Sequence, residues 1–357
     1  MAYIKKAFLG GNTSQGFFSL FDQVIDPGAN RIFLLKGGPG GGKGTFMRSI
    51  GEALQAKGFD LEYYYCSSDP DSLDAVVCPQ LKVVIVDATA PHIIDPKYAG
   101  CVEEIVNLGE YLHVNNLVSI KDDIIGLSKA NSNCFKNAYF YLKAAKIIYD
   151  KSEHHYKECL DKGRFKQATI NLMKEIINDR YSSTLTVNKR HLFASAITPK
   201  GPRNHIDNIM SGVKTKYILA GEVKVAKQTL LQTFINNLEM RGFSYEAYHC
   251  AFNPNVVEHI LVPELDVGIV SSHHPHQYHP EDSTVFNLDD CCQVYPTEQN
   301  SEDQELFNLL LSKAYKELER AKDIHDQLED CYGKNIDFKL IDDLRNQVLQ
   351  RILAYQI

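Results

Sequence analysis

Apolar residues recur along this chain in short continuous runs that predict buried strands. The run Ile-Phe-Leu-Leu within residues 31–36 is typical of a strand covered on both faces of a sheet. Residues 61–66, rich in tyrosine, and residues 82–86, rich in β-branched side chains, predict two further strands. Each run is short enough for a strand and is bounded by glycine, proline or acidic residues.

A helical pattern separates the first strand from the second. Phe46, Ile50 and Leu54 recur every four positions, and the segment ends at Lys57 and Gly58, a cation followed by a glycine. The order strand, helix, strand, strand predicts an α/β fold with a parallel, helix-covered sheet. Ligands bind such sheets at the carboxyl ends of their strands.

The same pattern occurs twice. A shift of 184 positions aligns residues 37–92 with residues 221–276 without a gap, and a repeat of this length indicates a duplicated domain rather than a solenoid. Before residue 37 the match weakens and needs a one-residue shift. We therefore expect two tandem three-layer domains of the P-loop NTPase type, 1–185 and 186–357. Among the identical pairs are Gly37/Gly221, Lys43/Lys227, Thr45/Thr229, Gly58/Gly242, Glu62/Glu246, Tyr64/Tyr248, Cys66/Cys250, Pro79/Pro263, Val86/Val270 and His92/His276.

Each half ends in a long charged segment with apolar residues three and four positions apart. Residues 138–178 and 302–356 therefore predict two helical pairs, broken near Gly163 and Gly333. Solvated faces, lids over a site and a dimer surface are three interpretations of these pairs that the sequence does not separate. A homo-oligomer and an unidentified small-molecule or protein partner both stay open.

Composition narrows the class of protein. The chain has 357 residues, 44% hydrophobic and 23% charged, which is enough for two cores. A net charge of −7 without a basic stripe argues against nucleic acid. No run has the length of a signal peptide or membrane span, and nine scattered cysteines resemble no disulfide framework. These features predict a cytoplasmic protein with reduced thiols and no membrane association.

A glycine-rich loop carries the strongest chemical signal. The spacing between Gly37 and the pair Gly42-Lys43 is that of a phosphate-binding loop between strand and helix. Successive backbone N–H groups can surround a phosphate only where no Cβ obstructs the turn, and the Lys43 ammonium supplies a compact charge. ATP with Mg²⁺ is the expected cofactor. The expected binding residues are Gly37, Gly38, Pro39, Gly40, Gly41, Gly42, Lys43, Gly44 and Thr45.

Position 44 departs from the usual form of this loop. Gly44 stands where a Ser or Thr would offer its hydroxyl to Mg²⁺, and Thr45 follows it. The Gly-Lys-Gly-Thr run resembles the loop of adenylate kinase and related nucleoside monophosphate kinases. That resemblance implies a metal held more indirectly, through water and carboxylates, with Thr45 as a further candidate.

Acidic residues follow the predicted strands. Asp87 ends the run at 83–86 and is the candidate for ordering Mg²⁺ or its water, although a helix cap or loop aspartate is the alternative. Asp69, Asp71 and Asp74 follow the second strand. One of these could act as a base or second metal anchor, but capping and turn formation explain such a stretch equally well.

The second half lacks this chemistry at the matching positions. Ala226 replaces Gly42, Ser271 replaces Asp87, and Glu222 introduces a charge that repels phosphate. We therefore expect a degenerate C-terminal domain with a structural or regulatory role, in which Lys227 and Thr229 leave weak binding open.

The two-unit layout, the stretch Cys-Ser-Ser-Asp-Pro-Asp-Ser-Leu-Asp at 66–74 and the ending Asp-Ala-Thr-Ala-Pro-His at 87–92 resemble an uncharacterised bacterial family of duplicated P-loop ATP-binding proteins. The resemblance extends over nearly the whole chain and implies ATP binding in the cytosol. Members of that family commonly carry Ser or Thr after the loop lysine, a pattern from which Gly44 departs.

Other polar residues carry weaker signals. His273, His274, His276 and His279 form a cluster that suggests a transition-metal site, yet His276 matches His92, where no cluster exists. His92 is expected to be a hydrogen-bonded structural histidine rather than a substrate contact. Cys66 and Cys250 are expected to pack as small apolar side chains.

The sequence favours an ATPase that acts through Lys43 and Asp87. A small-molecule or nucleotide kinase is the first alternative, but it needs arginines over the acceptor, and Arg48 and Arg180 are the few candidates. A nucleotide-responsive scaffold without turnover is the second alternative.

Overall fold

The computed structural model describes residues 2–183, 186–272, 278, 280–292 and 300–356. Within these ranges the chain forms a twelve-stranded sheet, two small two-stranded sheets and eight α-helices. The strands are β1 Ile4–Phe8, β2 Gly10–Thr13, β3 Gly16–Ser19, β4 Arg31–Lys36, β5 Leu61–Tyr65, β6 Leu73–Cys78, β7 Val83–Asp87, β8 Glu103–Asn107, β9 Lys189–Phe193, β10 Ser195–Thr198, β11 Gly201–Asn204, β12 Thr215–Ala220, β13 Tyr245–His249, β14 Val257–Val262, β15 Val267–Ser271 and β16 Thr284–Asn287. The helices are α1 Lys43–Ala56, α2 Val114–Ser119, α3 Lys121–Cys159, α4 Lys162–Ile176, α5 Ile206–Met210, α6 Lys224–Met240, α7 Asn300–Gly333 and α8 Phe338–Leu353.

The large sheet has a two-fold symmetric strand order, in which equivalent strands of the two halves lie at equal distances from the centre. It runs β16-β12-β15-β14-β13-β9-β1-β5-β6-β7-β4-β8, so each strand of one half has a counterpart in the other. Most counterparts, such as β5 and β13, keep the 184-residue shift, and β1 and β9 keep the one-residue offset. The halves join where β1 and β9 run antiparallel, with Phe8 opposite Phe193.

The expectation of parallel sheets holds only in part. β6 lies between β5 and β7 and runs antiparallel to both, as β14 does between β13 and β15. The connections at 66–72 and 79–82 are too short for the crossover that a parallel neighbour requires, so the chain turns straight back. The β4–β7 and β4–β8 pairs are parallel, and the fold is α/β with a mixed sheet.

Strand β4, between β7 and the edge strand β8, is buried on both faces, as its apolar run predicted. Phe33 and Leu35 pack in a cluster with α1 and α8, whereas Ile32 and Leu34 belong to a cluster on the opposite face. That second cluster contains residues of both halves, including Ile209 of the short helix α5. Helices α1, α8, α4 and α6 therefore lie on the other side of the sheet from α5.

The final helices of the two halves are exchanged, which means that each packs on the other half of the chain. α8 packs on α1 of the first half, while α4 packs on α6 of the second, and the long helices α3 and α7 pack along each other. The predicted breaks near Gly163 and Gly333 fall between α3 and α4 and between α7 and α8. Within the described part of the chain, none of these helices combines the length and apolar character that a membrane span requires.

Candidate functional site

The glycine-rich loop connects β4 to α1 at the carboxyl end of β4. Gly40 and Gly42 have φ of +62° and +79°, backbone conformations that residues with a Cβ rarely adopt. The Gly41 N–H donates to the Gly38 carbonyl oxygen at 3.2 Å, which closes the turn. The loop is therefore a tight turn that leads directly into the first turn of α1.

Lys43, the first residue of α1, extends its side chain across this loop. Its Nζ donates to the carbonyl oxygens of Gly37 and Gly38 at 3.0 and 2.9 Å and lies 3.7 Å from Oδ2 of Asp87. Because β4 and β7 are parallel neighbours, with Leu35 opposite Asp87, the loop and the carboxylate meet at one edge of the sheet. The structure thus brings together the two residues predicted to be catalytic, while their roles stay a prediction.

The Asp87 carboxylate also accepts hydrogen bonds from the turn that follows β7. Its Oδ1 accepts from the N–H and hydroxyl of Thr89 at 2.9 and 2.6 Å. One carboxylate oxygen thus stabilises the turn after β7, as the alternative interpretation of a loop aspartate expected, while the other faces Lys43.

Of the three acidic residues after β5, the fold buries only Asp74. Asp74 lies in β6 beside β7, and it is 4% exposed, whereas the Asp71 side chain is 67% exposed. Burial, with the nearby Asp87 charge, raises the pKa of Asp74 to about 8. Burial and Asp74 together raise the pKa of the Cys66 thiol well above its usual range, so this cysteine is a poor nucleophile. Asp74 could not be preferred from the sequence, because strand β6 was not predicted.

His92 differs from its prediction. Its ring is buried and stacks on Phe21 with centroids 4.2 Å apart, and neither ring nitrogen has a hydrogen-bond partner among the described residues. Its Nε2 lies 4.0 Å from Oδ1 of Asp74. Burial lowers the pKa of His92 to about 4, so the ring is neutral at pH 7. It is a stacked histidine rather than a hydrogen-bonded one.

The C-terminal end of α7, from the second half of the chain, covers the loop. A Cβ added at Gly40 would lie 2.5 Å from the carbonyl oxygen of Glu329, and one added at Gly38 would lie 2.8 Å from the Tyr332 ring. Lys322, further back on α7, places its Nζ 3.7 Å from Oδ2 of Asp69. The glycines thus permit the close approach of another segment as well as the turn itself.

The remaining candidates are dispersed. Thr45 is exposed on α1, and Gly44 faces the side chain of Ser72.

Arg48 donates to the Asp71 carbonyl oxygen at 2.6 Å, and Lys200 of the second half binds the Asp71 carboxylate. Arg180 donates to carbonyls at the end of α4, which packs on the second half, so the arginines considered for a kinase are not brought together.

The matching loop of the second half has a different structure. α6 begins at Lys224, the counterpart of Gly40, so residues that form the loop in the first half are helical here. The N–H of Glu222 donates to Oδ1 of Asp289 at 2.8 Å, which places a carboxylate of the chain itself against the remaining loop. Lys227 is 1% exposed and donates to the Ser272 carbonyl oxygen at 2.8 Å, and burial lowers its pKa to about 8.

Oxygen atoms dominate the possible metal ligands near the intact loop. In the described ranges, no group of three or more His, Cys, Asp and Glu side chains is placed to hold a metal ion. Asp87 nevertheless offers the hard oxygen ligand suited to Mg²⁺, which commonly takes only one or two protein carboxylates beside phosphates and water. His273, His274, His276 and His279 lie outside the described residues.

Comparison of the chain with protein-family models, with curated proteins and with solved structures finds no match. The assignment of a function therefore depends on the geometry of the loop and its neighbours.

Proposed function

We propose that this protein binds ATP with Mg²⁺ at the loop of residues 37–45 and hydrolyses it there. The observation that carries the proposal is the position of the Lys43 ammonium, which lies across a glycine turn and 3.7 Å from the Asp87 carboxylate. A turn with two left-handed glycines, followed by a helix N-terminus, is the backbone arrangement that binds phosphate oxygens.

Each group near the loop has a role in this proposal. Lys43 moves from the carbonyls of Gly37 and Gly38 to the β- and γ-phosphates, and the loop amides stabilise the charge on the transferred group. Asp87 holds the Mg²⁺ or its water. The metal neutralises phosphate charge when it is bound.

The second half contributes cover rather than a second site. The Tyr332 ring packs on Gly38, the Glu329 carboxylate faces the backbone N–H of Gly40, and Lys322 carries a positive charge toward the acidic segment at Asp69. An ATP phosphate would replace the Glu329 carboxylate at that N–H group. In the degenerate loop, the early start of α6 and the Asp289 contact leave no comparable cradle.

A nucleotide-responsive scaffold without turnover is the second candidate, and the exchange of helices favours it. The segment that covers the loop belongs to a helix packed along α3, so movement of the cover on ATP binding would reach both halves. Tight ATP binding without phosphate release would select this function over hydrolysis.

The test is calorimetric titration of the full-length chain with MgATP, together with phosphate release from ATP labelled in the γ position. We expect the wild type and Lys57→Ala, an exposed lysine at the other end of α1, to bind and hydrolyse ATP equally. Lys43→Met should lose both. Transfer of label to an added metabolite or nucleotide would identify a kinase, and equal binding by Lys43→Met would refute the proposed site.

A further inference from the structure

A hydroxyl group from another segment lies beside position 44 of the loop. Gly44 stands where loops of this kind carry a Ser or Thr. A Cβ added at Gly44 would lie 2.6 Å from Oγ of Ser72. Any side chain at position 44 would have to displace that hydroxyl, so the Ser72 hydroxyl occupies the space beside the first turn of α1.

The backbone holds Ser72 in this place. Its N–H donates to the Asp69 carbonyl oxygen at 2.9 Å, and its carbonyl oxygen accepts from the Cys66 N–H at 3.2 Å. β6 begins at the next residue, Leu73, and Asp74 follows it. Ser72 is therefore fixed at the start of the strand that carries the buried carboxyl next to Asp87.

The degenerate half provides an internal comparison. The counterparts of Gly44 and Ser72, at the 184-residue shift, are Gln228 and Val256, and both line one small cavity together with Ser271, the counterpart of Asp87. The two positions thus lie close together in both halves. Where the glycine loop and Asp87 are lost, the hydroxyl is lost as well, as expected if it serves the same ligand.

We propose that Ser72 provides the hydroxyl ligand of Mg²⁺ in the ATP site, in place of a Ser or Thr at position 44. This inference rests on the proposed function. A hydroxyl oxygen and the Asp87 carboxylate form an all-oxygen set, and Mg²⁺ completes such a set with phosphate oxygens and water. The same arrangement accounts for glycine at position 44, since a Cβ there would lie 2.6 Å from the Ser72 hydroxyl oxygen.

The experiment measures how much Mg²⁺ strengthens ATP binding. ATP is titrated into wild type, Ser72→Ala and Ser68→Ala, a control in the same segment, with Mg²⁺ or with EDTA. We expect Ser72→Ala to lose about tenfold in affinity for ATP with Mg²⁺ and to be unchanged in EDTA. Titration with Mn²⁺ in the presence of ATP, followed by electron paramagnetic resonance, should show the same loss of metal affinity.

A double variant distinguishes loss of the metal ligand from a purely structural effect of the substitution. Ser72→Gly combined with Gly44→Ser moves the hydroxyl into the loop and removes the side chain in its way, so it should restore the Mg²⁺ enhancement that Ser72→Gly alone loses. If Ser72→Ala and Ser72→Gly both keep the wild-type enhancement, or the double variant fails to restore it while remaining folded, the Ser72 assignment is overturned. If the wild type binds no ATP with or without Mg²⁺, the proposed function itself fails, and this inference with it.

Discussion

The guanidinium group of Arg190 binds the carboxylate of Glu62 through two hydrogen bonds, at 2.9 and 2.7 Å, across the boundary between the two halves. The pairing is reciprocal, because Lys5 of the first half binds Glu246 of the second. Tyr64 and Tyr248 donate to these two carboxylates at 2.8 and 2.7 Å. The junction of β1 and β9 is thus held by a buried network with the same two-fold arrangement as the sheet.

Removal of one partner from this network should strongly destabilise the chain. Arg190→Met leaves the Glu62 charge buried without its main partner, and we expect a loss of about 3–5 kcal/mol in the free energy of unfolding. Lys214→Ala, which removes an exposed ion pair with Asp266, is the control and should change it by less than about 1 kcal/mol. Urea unfolding at pH 7 measures both, and similar values for the two variants would contradict a structural role for the network.

The same network predicts sensitivity to acid. Burial alone would raise the pKa of Glu62, but Arg190 and Lys5 lower it from 4.5 to about 2. A carboxyl whose pKa is depressed in the folded state stabilises the protein above its unfolded pKa, so this contribution is lost as pH falls from about 4.5 toward 2. Urea unfolding of wild type and Glu62→Gln across that range should show a steeper fall for the wild type. Parallel curves would contradict this assignment.

Close packing of the end of α7 on the loop predicts different effects for two left-handed glycines. Gly58, at φ +90°, has open space around the position of a Cβ, so Gly58→Ala should destabilise the fold by about 1–2 kcal/mol through backbone strain alone. Gly40→Ala adds a collision with the main chain of Glu329 and should be more destabilising, with weaker ATP binding. Urea unfolding and ATP titration measure both effects. Equal losses of stability would show that the end of α7 does not pack on Gly40.

Lys227 should affect stability at high pH and not ATP binding. Burial lowers its pKa from 10.5 to about 8, so the unfolded chain holds more protons on this group between these pH values and the folded state gains stability as pH rises. Relative to Lys227→Met, the wild type should therefore gain on the order of 2–3 kcal/mol in unfolding free energy from pH 8 to 10.5. ATP affinity at pH 7 should be the same in both. Loss of ATP binding in Lys227→Met would place nucleotide in the second half.

The loop and its partner strand could be predicted from local sequence. β4, α1, β5 and β7 lie within two residues of their predicted bounds, because apolar period, glycine stops and β-branched runs act over a few neighbouring positions. Strand β6 was missed, because no element was predicted for residues 73–78. Its antiparallel direction follows from connection lengths that become evident only once the strand is known.

The sequence by itself determined the repeat, the elements of each half, the glycine turn and the presence of Lys43 and Asp87 at strand and helix ends, since each depends on residues close in the chain. Tertiary structure decided which half covers the loop, which acidic residue is buried, and which hydroxyl lies beside Gly44. Tyr332 lies on Gly38 and Arg190 on Glu62 although the chain separates them widely. Contacts of this kind depend on how β1 and β9 join the sheets and how the final helices are exchanged, and no local pattern of residues encodes either.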